Sequence, residues 1–153
     1  MEMSRVAAVV SGGLIARIAI ALNEKPDMSV RDGEPAAKER ELRLQRCHAC
    51  GTYLFYPRYL CTACGTDHLR CCPVSGRGTV FTFTVARRPT HPGLAGEIPY
   101  IIAVVELAEG PKLTTNLVEI DPDDVVIGLP VQASFEDVDD ATLVQFRLVG
   151  PGR

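Results

Sequence analysis

Hydrophobic and polar side chains alternate along most of residues 77–149, which is the pattern of β-strands that bury one face. The clearest case is TVFTFTVARR, residues 79–88, where the alternation predicts one strongly apolar face formed by Phe81, Phe83 and Val85. The same alternation predicts four further strands at residues 100–107, 112–120, 131–138 and 142–149. This part of the chain is therefore expected to be mostly β.

The connections between these strands indicate how they are arranged. A loop rich in proline and glycine, residues 89–99, follows the first strand, and an Asp-capped helical turn at residues 121–124 precedes the fourth. Asp139 and Asp140 mark a hairpin tip between the last two strands. Five short antiparallel strands with a longer connection before the fourth predict a small Greek-key barrel of the OB type.

The first part of the chain carries a different pattern. Residues 6–22 are an apolar run that glycines and Arg17 interrupt, and the run is too short and too broken to span a bilayer. A signal peptide is one alternative for this run, and translation that natively begins at Met28 is another. Residues 34–42 favour a short helix with a charged, solvated face, and residues 42–46 predict the strand that enters the cysteine-rich segment.

These patterns divide the chain into an N-terminal extension at residues 1–33, a short helix plus a cysteine-rich ribbon at residues 34–70, and an OB-fold domain at residues 71–150. We expect the ribbon and the barrel to have separate cores.

Residues 31–88 hold ten Lys/Arg against five Asp/Glu, whereas residues 89–153 hold three against eleven. The acidic barrel half and a pI near 5.6 argue against a general nucleic-acid binder, which needs a sustained positive surface.

Two Cys-x-x-Cys-Gly units organise the segment RCHACGTYLFYPRYLCTACGTD. Cys47 and Cys50 form one pair, and Cys61 and Cys64 form the other. A tetrahedral metal takes four thiolates at about 2.3 Å, and two such turns joined by a hairpin can supply two thiolates each. The glycine after each pair suits a turn with positive φ. We predict one bound metal ion, with two structural disulfides as the alternative.

The predicted metal site is structural, because four cysteine ligands leave no position open for water or substrate. Zinc is the expected ion, and iron, as in a rubredoxin-like electron carrier, is the rival. Cys71 and Cys72 lie off the paired spacing and are interpreted as buried strand cysteines. His48 and His68 lie beside the four cysteines and are not expected to bind the metal. A thiolate site favours a reducing compartment, and we expect a cytoplasmic protein.

A family resemblance rests on six segments: LQRCHACG, YPRYLCTACG, VSGRGTVFTFTV, HPGLAGEIPYIIAVVEL, GPKLTTNLV and IGLPVQASFEDV. Residues 42–149 resemble the OB-fold, acyl-CoA-associated proteins that carry an N-terminal rubredoxin-like zinc ribbon. The resemblance implies a non-catalytic partner of thiolase-like enzymes or acyl-CoA hydratases, in lipid, sterol or polyketide-like acyl metabolism. The apolar N-terminal run departs from the amphipathic helical lead that members usually carry.

The residues themselves also show no catalytic motif. The histidines are His48, His68 and His91, and none has a neighbouring nucleophile at motif spacing. The leading hypothesis, which the resemblance implies, is an accessory subunit that docks on an acyl-CoA enzyme and helps to form or close its acyl-CoA site. The alternatives are an OB-fold nucleic-acid-binding zinc-ribbon protein, which the acidic barrel half opposes, and an iron electron carrier.

Two groups of residues are candidates for binding CoA or a partner. The first lies around the loop between the first two barrel strands, a usual ligand edge of OB barrels, and we expect it on the ribbon-facing side. Its members are Arg87, Arg88, His91 and Tyr100, of which the arginines could hold phosphate oxygens of CoA. The second group is aromatic and lies between the cysteine pairs: Phe55, Tyr56 and Tyr59. These rings form either a miniature ribbon core or a docking face.

Overall fold

The computed structural model describes residues 40–88, 96, 98–138 and 141–150. A three-stranded sheet forms the ribbon, with β1 (Arg43–Cys47) between β2 (Tyr53–Leu54) and β3 (Leu69–Pro73). Both neighbours run antiparallel to β1. Because β1 ends at Cys47 and β3 begins shortly after the second cysteine pair, the sheet brings both pairs to the same end of the ribbon.

Five strands close into a barrel after the ribbon. They are β4 (Arg77–Ala86), β5 (Tyr100–Leu107), β6 (Lys112–Leu117), β7 (Pro130–Val138) and β8 (Ala141–Leu148). The order around the barrel is β4-β5-β6-β8-β7, with β6 and β8 parallel and the other pairs antiparallel. The predicted five-stranded OB barrel is confirmed.

Strand β5 shows why the alternating pattern locates these strands. Ile101, Ala103, Val105 and Leu107 are buried, and the residues between them are half-buried. Each apolar side chain that points inward removes surface from water, which stabilises the folded state by about 25 cal/mol per Å² of buried apolar area. The predicted turn before the fourth barrel strand is also present, since Asp121 caps a 3-10 turn at Pro122–Asp124.

A β-bulge in β4 removes Phe81 from the predicted apolar face, whereas Val85, like Phe83, packs against the core as predicted. The pairing register with β5 shifts between Val80 and Thr82, so the alternation changes face there. Val80 is consequently buried at 1% exposure, while Phe81 is 48% exposed and its ring carries the Lys112 ammonium 3.8 Å from its centroid. Phe83 packs against the core as expected. Strand β4 pairs with β5 along its length and with β7 at its start, before the bulge.

The ribbon and the barrel share one core, contrary to the expectation of two. Leu42 and Leu44 belong to the same buried cluster as Val80, Val105 and Phe146 of the barrel. Hydrogen bonds also join the linker to the barrel, because Ser75 N donates to Glu109 Oε1 at 2.7 Å and Ala133 N donates to Gly76 O at 2.8 Å. Loss of the ribbon would therefore expose apolar surface of the barrel.

Several of the predicted elements involve residues that the structure does not describe. The apolar run 6–22, the start at Met28 and most of the predicted helix 34–42 lie outside the described residues. Residues 40–42 are not helical, and Arg40 has a φ of 57°. Across the part of the chain that the structure describes, no helix is long and apolar enough to cross a membrane.

Candidate metal centre and partner-binding surfaces

The four predicted ligands converge at one end of the ribbon. The Sγ atoms of Cys47, Cys50, Cys61 and Cys64 all lie within 4.8 Å of one another. Cys47 Sγ is 3.5 Å from Cys64 Sγ, and Cys50 Sγ is 3.6 Å from Cys61 Sγ. A tetrahedron of sulfurs around a zinc ion, with bonds of about 2.3 Å, has edges of about 3.8 Å. The observed separations fit a single four-coordinate metal ion.

The backbone builds the two halves of this site in the same way. Gly51 N donates to Cys47 O at 2.8 Å, and Gly65 N donates to Cys61 O at 2.9 Å. Both glycines have positive φ values, 79° and 74°, as the spacing predicted. Each tight turn points its two cysteines to one side, so the repeated motif places four sulfurs around a common centre.

Threonine hydroxyls form a second layer around the sulfurs, which the sequence interpretation did not include. Thr66 Oγ1 lies 3.4 Å from Cys47 Sγ and 3.3 Å from Cys64 Sγ, and Thr52 Oγ1 lies 3.2 Å from Cys50 Sγ. The repeated Cys-Gly-Thr sequence is the signal that could have revealed them. A hydroxyl that donates to a thiolate stabilises the charged form and holds the sulfur in place for a metal.

These hydrogen bonds perturb the acidity of the thiols. The hydroxyl of Thr66 and the backbone N–H of Cys50 lower the pKa of Cys47 to about 6. The hydroxyl and backbone of Thr52 lower the pKa of Cys50. At Cys61 the backbone N–H groups of Cys64 and Ala63 lower the pKa, yet burial and the neighbouring thiols outweigh them and raise it to about 11. A bound dication would favour the thiolate at all four positions.

The other candidate ligands lie apart from the four sulfurs. Cys71 and Cys72 are on strand β3 as predicted, but they are half-buried rather than buried. His48 Nε2 is 3.9 Å from Cys72 Sγ, on the ribbon surface, and His68 lies 3.9 Å from the Asp67 carboxylate. Within the described ranges, the metal-ligand cluster consists of the four predicted cysteines.

Three large, exposed apolar side chains lie on the loop between the two cysteine pairs. Tyr56, Tyr59 and Leu60 are 64%, 73% and 56% exposed, and we call these three residues the ribbon patch. Phe55 instead packs partly against the common core, with its ring centroid 4.4 Å from that of Tyr56. The predicted aromatic group is therefore divided, because Phe55 contributes to the core and the two tyrosines face solvent.

Two backbone features determine how the ribbon patch is presented. The backbone N of Arg58 donates to Oε1 of the buried Gln45 at 2.7 Å, which ties the loop to strand β1. Tyr56 has a φ of 62°, in the left-handed region that residues other than glycine rarely adopt. The patch is thus presented on a tethered loop that includes one strained residue.

The second candidate group lies at the other end of the barrel from the expected one. Strand β4 begins at Arg77, next to the ribbon, and Arg87 and Arg88 follow its far end. Tyr100 pairs with Ala86 at this same end. The expected position on the ribbon-facing side is wrong, because β4 is ten residues long and spans the barrel. His91 lies outside the described residues.

The side chains in this group are placed differently from one another. The Arg87 guanidinium lies 3.4 Å from the Asp123 carboxylate, with both side chains well exposed. Arg88 is exposed. Tyr100 is half-buried and lines a cleft with Asn116 and Gln145. An exposed ion pair of this kind contributes little stability.

Comparisons with known proteins agree with this architecture. Sequence profiles of the ChsH2 rubredoxin-like zinc ribbon domain and the ChsH2 C-terminal OB-fold domain match residues 36–70 and 72–136. A DUF35 domain-containing scaffold protein of Methanocaldococcus jannaschii is 36% identical over 103 residues, which are 64% of this chain and 72% of that protein.

Two further relatives carry names that refer to enzymes. A probable enoyl-CoA hydratase alpha subunit of Thermomonospora curvata is 44% identical over 117 residues, which are 76% of this chain. The aligned segment is 36% of that protein, so this chain spans about a third of its length. A solved structure described as an Ltp2-ChsH2(DUF35) aldolase has a TM-score of 0.69 and 40% identity, and the match covers 84% of this chain and 97% of that chain.

Proposed function

Since this chain belongs to the ChsH2-type DUF35 family, in which a rubredoxin-like zinc ribbon precedes an OB-fold domain, we propose that it is an accessory subunit of an acyl-CoA enzyme. The enzyme is a thiolase-like protein or an acyl-CoA hydratase, and this chain helps to form or close its acyl-CoA site. The relatives named as a hydratase alpha subunit and as part of an aldolase support this role. The chain contributes no catalytic group of its own.

The ribbon patch is the observation that carries the proposal. Large exposed apolar side chains on one short loop are typical of protein interfaces, where tyrosine is enriched. Tyr56 adds a second argument, because its left-handed backbone costs about 1 kcal/mol and glycine would remove that cost. Backbone strain at an exposed aromatic residue points to a role for the side chain outside the folded chain. We assign the ribbon patch to the surface that contacts the enzyme.

The metal centre serves this surface. Zinc, held by Cys47, Cys50, Cys61 and Cys64, would crosslink the two turns and so fix the loop between them. This loop is residues 51–60, and it carries the whole ribbon patch. Four cysteine ligands complete a tetrahedral shell, so the ion has a structural role. The docking surface therefore depends on the metal although the metal lies outside it.

The residues of this chain that contact acyl-CoA lie at the end of the barrel where strand β4 ends. Arg87 and Arg88 lie there on an exposed chain segment, with Tyr100 on the neighbouring strand. Guanidinium groups bind phosphate oxygens through paired hydrogen bonds, and CoA carries several phosphate charges. In the complex, these arginines hold the phosphates of CoA at the edge of the enzyme's binding site.

The experiment that tests docking begins with identification of the protein that co-purifies with this chain from its natural source. Its affinity for the full chain is then measured for wild type, Tyr56→Gly, Tyr59→Ala and the control Ile127→Ala, which truncates an equally exposed residue of the barrel. The two ribbon variants should each weaken binding at least about ten-fold, as interface hot spots do, while Ile127→Ala binds normally. Normal binding by both tyrosine variants, with the metal retained, would remove the ribbon patch from the interface.

A further inference from the structure

A cleft of about 300 Å³ lies at the end of the barrel away from the ribbon, where β5, β6 and β8 are neighbours. Ile101, Leu117 and Ile120 supply apolar walls. The volume is at the lower limit of small-molecule sites, which are roughly 300–1,000 Å³. The cleft is therefore large enough for a short segment of a ligand rather than for a whole cofactor.

Gln145, a buried residue with 3% exposure, lines this cleft. Its amide nitrogen Nε2 has no hydrogen-bond partner among the residues that the structure describes. The neighbouring amide differs, because Asn116 Nδ2 donates to Ile101 O at 3.1 Å. Buried donors are almost always paired in folded proteins, and an unpaired donor destabilises the chain that contains it. An acceptor that enters the cleft would remove this cost.

The walls define the chemistry of that acceptor. Glu119 lines the cleft, and its exposed carboxylate lies 3.6 Å from the Arg147 guanidinium, so this charge is compensated and the cleft offers an anion no unpaired cation. The apolar walls favour alkyl groups on either side of the acceptor. A neutral carbonyl flanked by alkyl groups meets both conditions, and the amides of the pantetheine arm of CoA have this structure.

The surroundings of the cleft are also suited to CoA. Pro122 lines the cleft, and the next residue, Asp123, pairs with Arg87 at 3.4 Å. Tyr100, which lines the cleft, pairs with Ala86, immediately before Arg87. A cleft with apolar walls and amide groups thus lies beside the segment that carries Arg87 and Arg88, in the same order as the pantetheine arm and the phosphates of CoA.

We propose that this cleft binds the pantetheine arm of the acyl-CoA and that Gln145 Nε2 donates a hydrogen bond to one of its amide carbonyls. The proposal rests on the accessory role in acyl-CoA binding and adds the residue that recognises the neutral part of the ligand. Gln145 is a binding residue and takes no part in the chemistry of the reaction.

The decisive variant is Gln145→Leu in the full chain, with Gln132→Leu as the matched control. Leucine keeps a similar volume and removes the unpaired donor, so Gln145→Leu should raise the thermal midpoint of the free protein. Gln132 lies on the adjacent strand β7, outside the cleft, and its Nε2 already donates to Ser75 O at 3.1 Å. Gln132→Leu should therefore leave ligand binding unchanged and should not raise the midpoint.

Binding is measured by titrating ¹⁵N-labelled full chain with pantetheine and following the side-chain amide signals. The Gln145 signal should shift, and Gln145→Leu should weaken pantetheine binding about ten-fold, the contribution of one good hydrogen bond. Adenosine 3′,5′-bisphosphate, which lacks the arm, should leave that signal unmoved. An N-acetylated peptide amide that binds more tightly than pantetheine would overturn the proposal in favour of a peptide carbonyl from a partner.

The outcomes separate this proposal from the accessory role. Pantetheine that leaves the Gln145 signal unmoved, or binds Gln145→Leu as well as wild type, would overturn the assignment of the cleft even if the enzyme complex forms normally. Failure of the chain to associate with any acyl-CoA enzyme would overturn the accessory role, although pantetheine could still bind the cleft.

Discussion

Replacing Thr66 by valine should weaken metal binding without altering the four ligands. The Thr66 hydroxyl lies 3.4 Å from Cys47 Sγ and 3.3 Å from Cys64 Sγ, so it can donate to either sulfur. Valine has nearly the same shape and lacks the donor. Hydrogen bonds to charged groups contribute about 1.5–3 kcal/mol, and because one hydroxyl is shared between buried Cys47 and exposed Cys64 we expect the lower value. This value corresponds to about a ten-fold loss of metal affinity, within the range for residues that support metal ligands.

The assay is competition for Zn²⁺ between the full chain and a chelator of known affinity. Thr62→Val is the matched control, since Thr62 lies in the same cysteine turn, is exposed, and has no hydrogen bond to any described residue. Thr66→Ser restores a hydroxyl and should recover most of the affinity. Equal zinc affinities for Thr66→Val and Thr62→Val would refute the argument that the hydroxyl stabilises the bound thiolates.

The same variant should change the pH dependence of metal release. The Thr66 hydrogen bond is the largest cause of the lowered pKa of Cys47, which is about 6, so its loss raises that pKa. Protons then compete more strongly with the metal for the sulfur. On acidification, Thr66→Val should release zinc at a higher pH than wild type, and a release midpoint at the same pH would contradict the assignment.

Three further changes test the fold and the ligand site. Gly78→Ala should destabilise the protein by about 3 kcal/mol, because a Cβ at this position would lie 2.6 Å from Glu106 O and from Val105 Cγ1. Gly150→Ala should be neutral, since its Cβ would have no atom within 4 Å, and denaturant unfolding of the two variants measures the difference. Cys61→Ser should release the metal and also lower the unfolding midpoint of the barrel, because the two parts share a core, and an unchanged barrel midpoint would count against that core. The double change Arg87→Ala/Arg88→Ala should raise the KM of the enzyme complex for acyl-CoA several-fold, with wild-type KM values as the contrary result.

The strands and the metal site were predictable because each depends on local sequence. Alternation in residues 100–107 matches β5 at both ends, since one face of that strand is buried along its whole length. The two Cys-x-x-Cys-Gly turns likewise set their own geometry through the bond from each glycine to the first cysteine of its pair. In both cases residues near one another in sequence determine the structure.

The missed features depend on contacts distant in sequence. The alternation of apolar and polar residues continues unbroken through Phe81, so the local sequence does not predict the bulge that turns this ring outward. The sequence pattern assigns Leu44 to the ribbon strand alone. Its place in the common core depends on the packing of the ribbon against the barrel. Gln145 occupies an alternate position of a strand, where a polar side chain is ordinarily solvated. Gln145 is nevertheless buried, and the alternating pattern of its own strand does not predict this.

The central claim is that this chain completes the acyl-CoA site of a separate enzyme. The most direct test is the turnover of acyl-CoA by the co-purifying enzyme, measured alone and with increasing amounts of the full, metal-loaded chain. We predict that turnover rises and saturates at a fixed ratio of the two proteins, and that the Tyr59→Ala chain requires a higher concentration to reach the same plateau. Turnover that is identical with and without the chain, under conditions where both proteins are folded, would contradict the account.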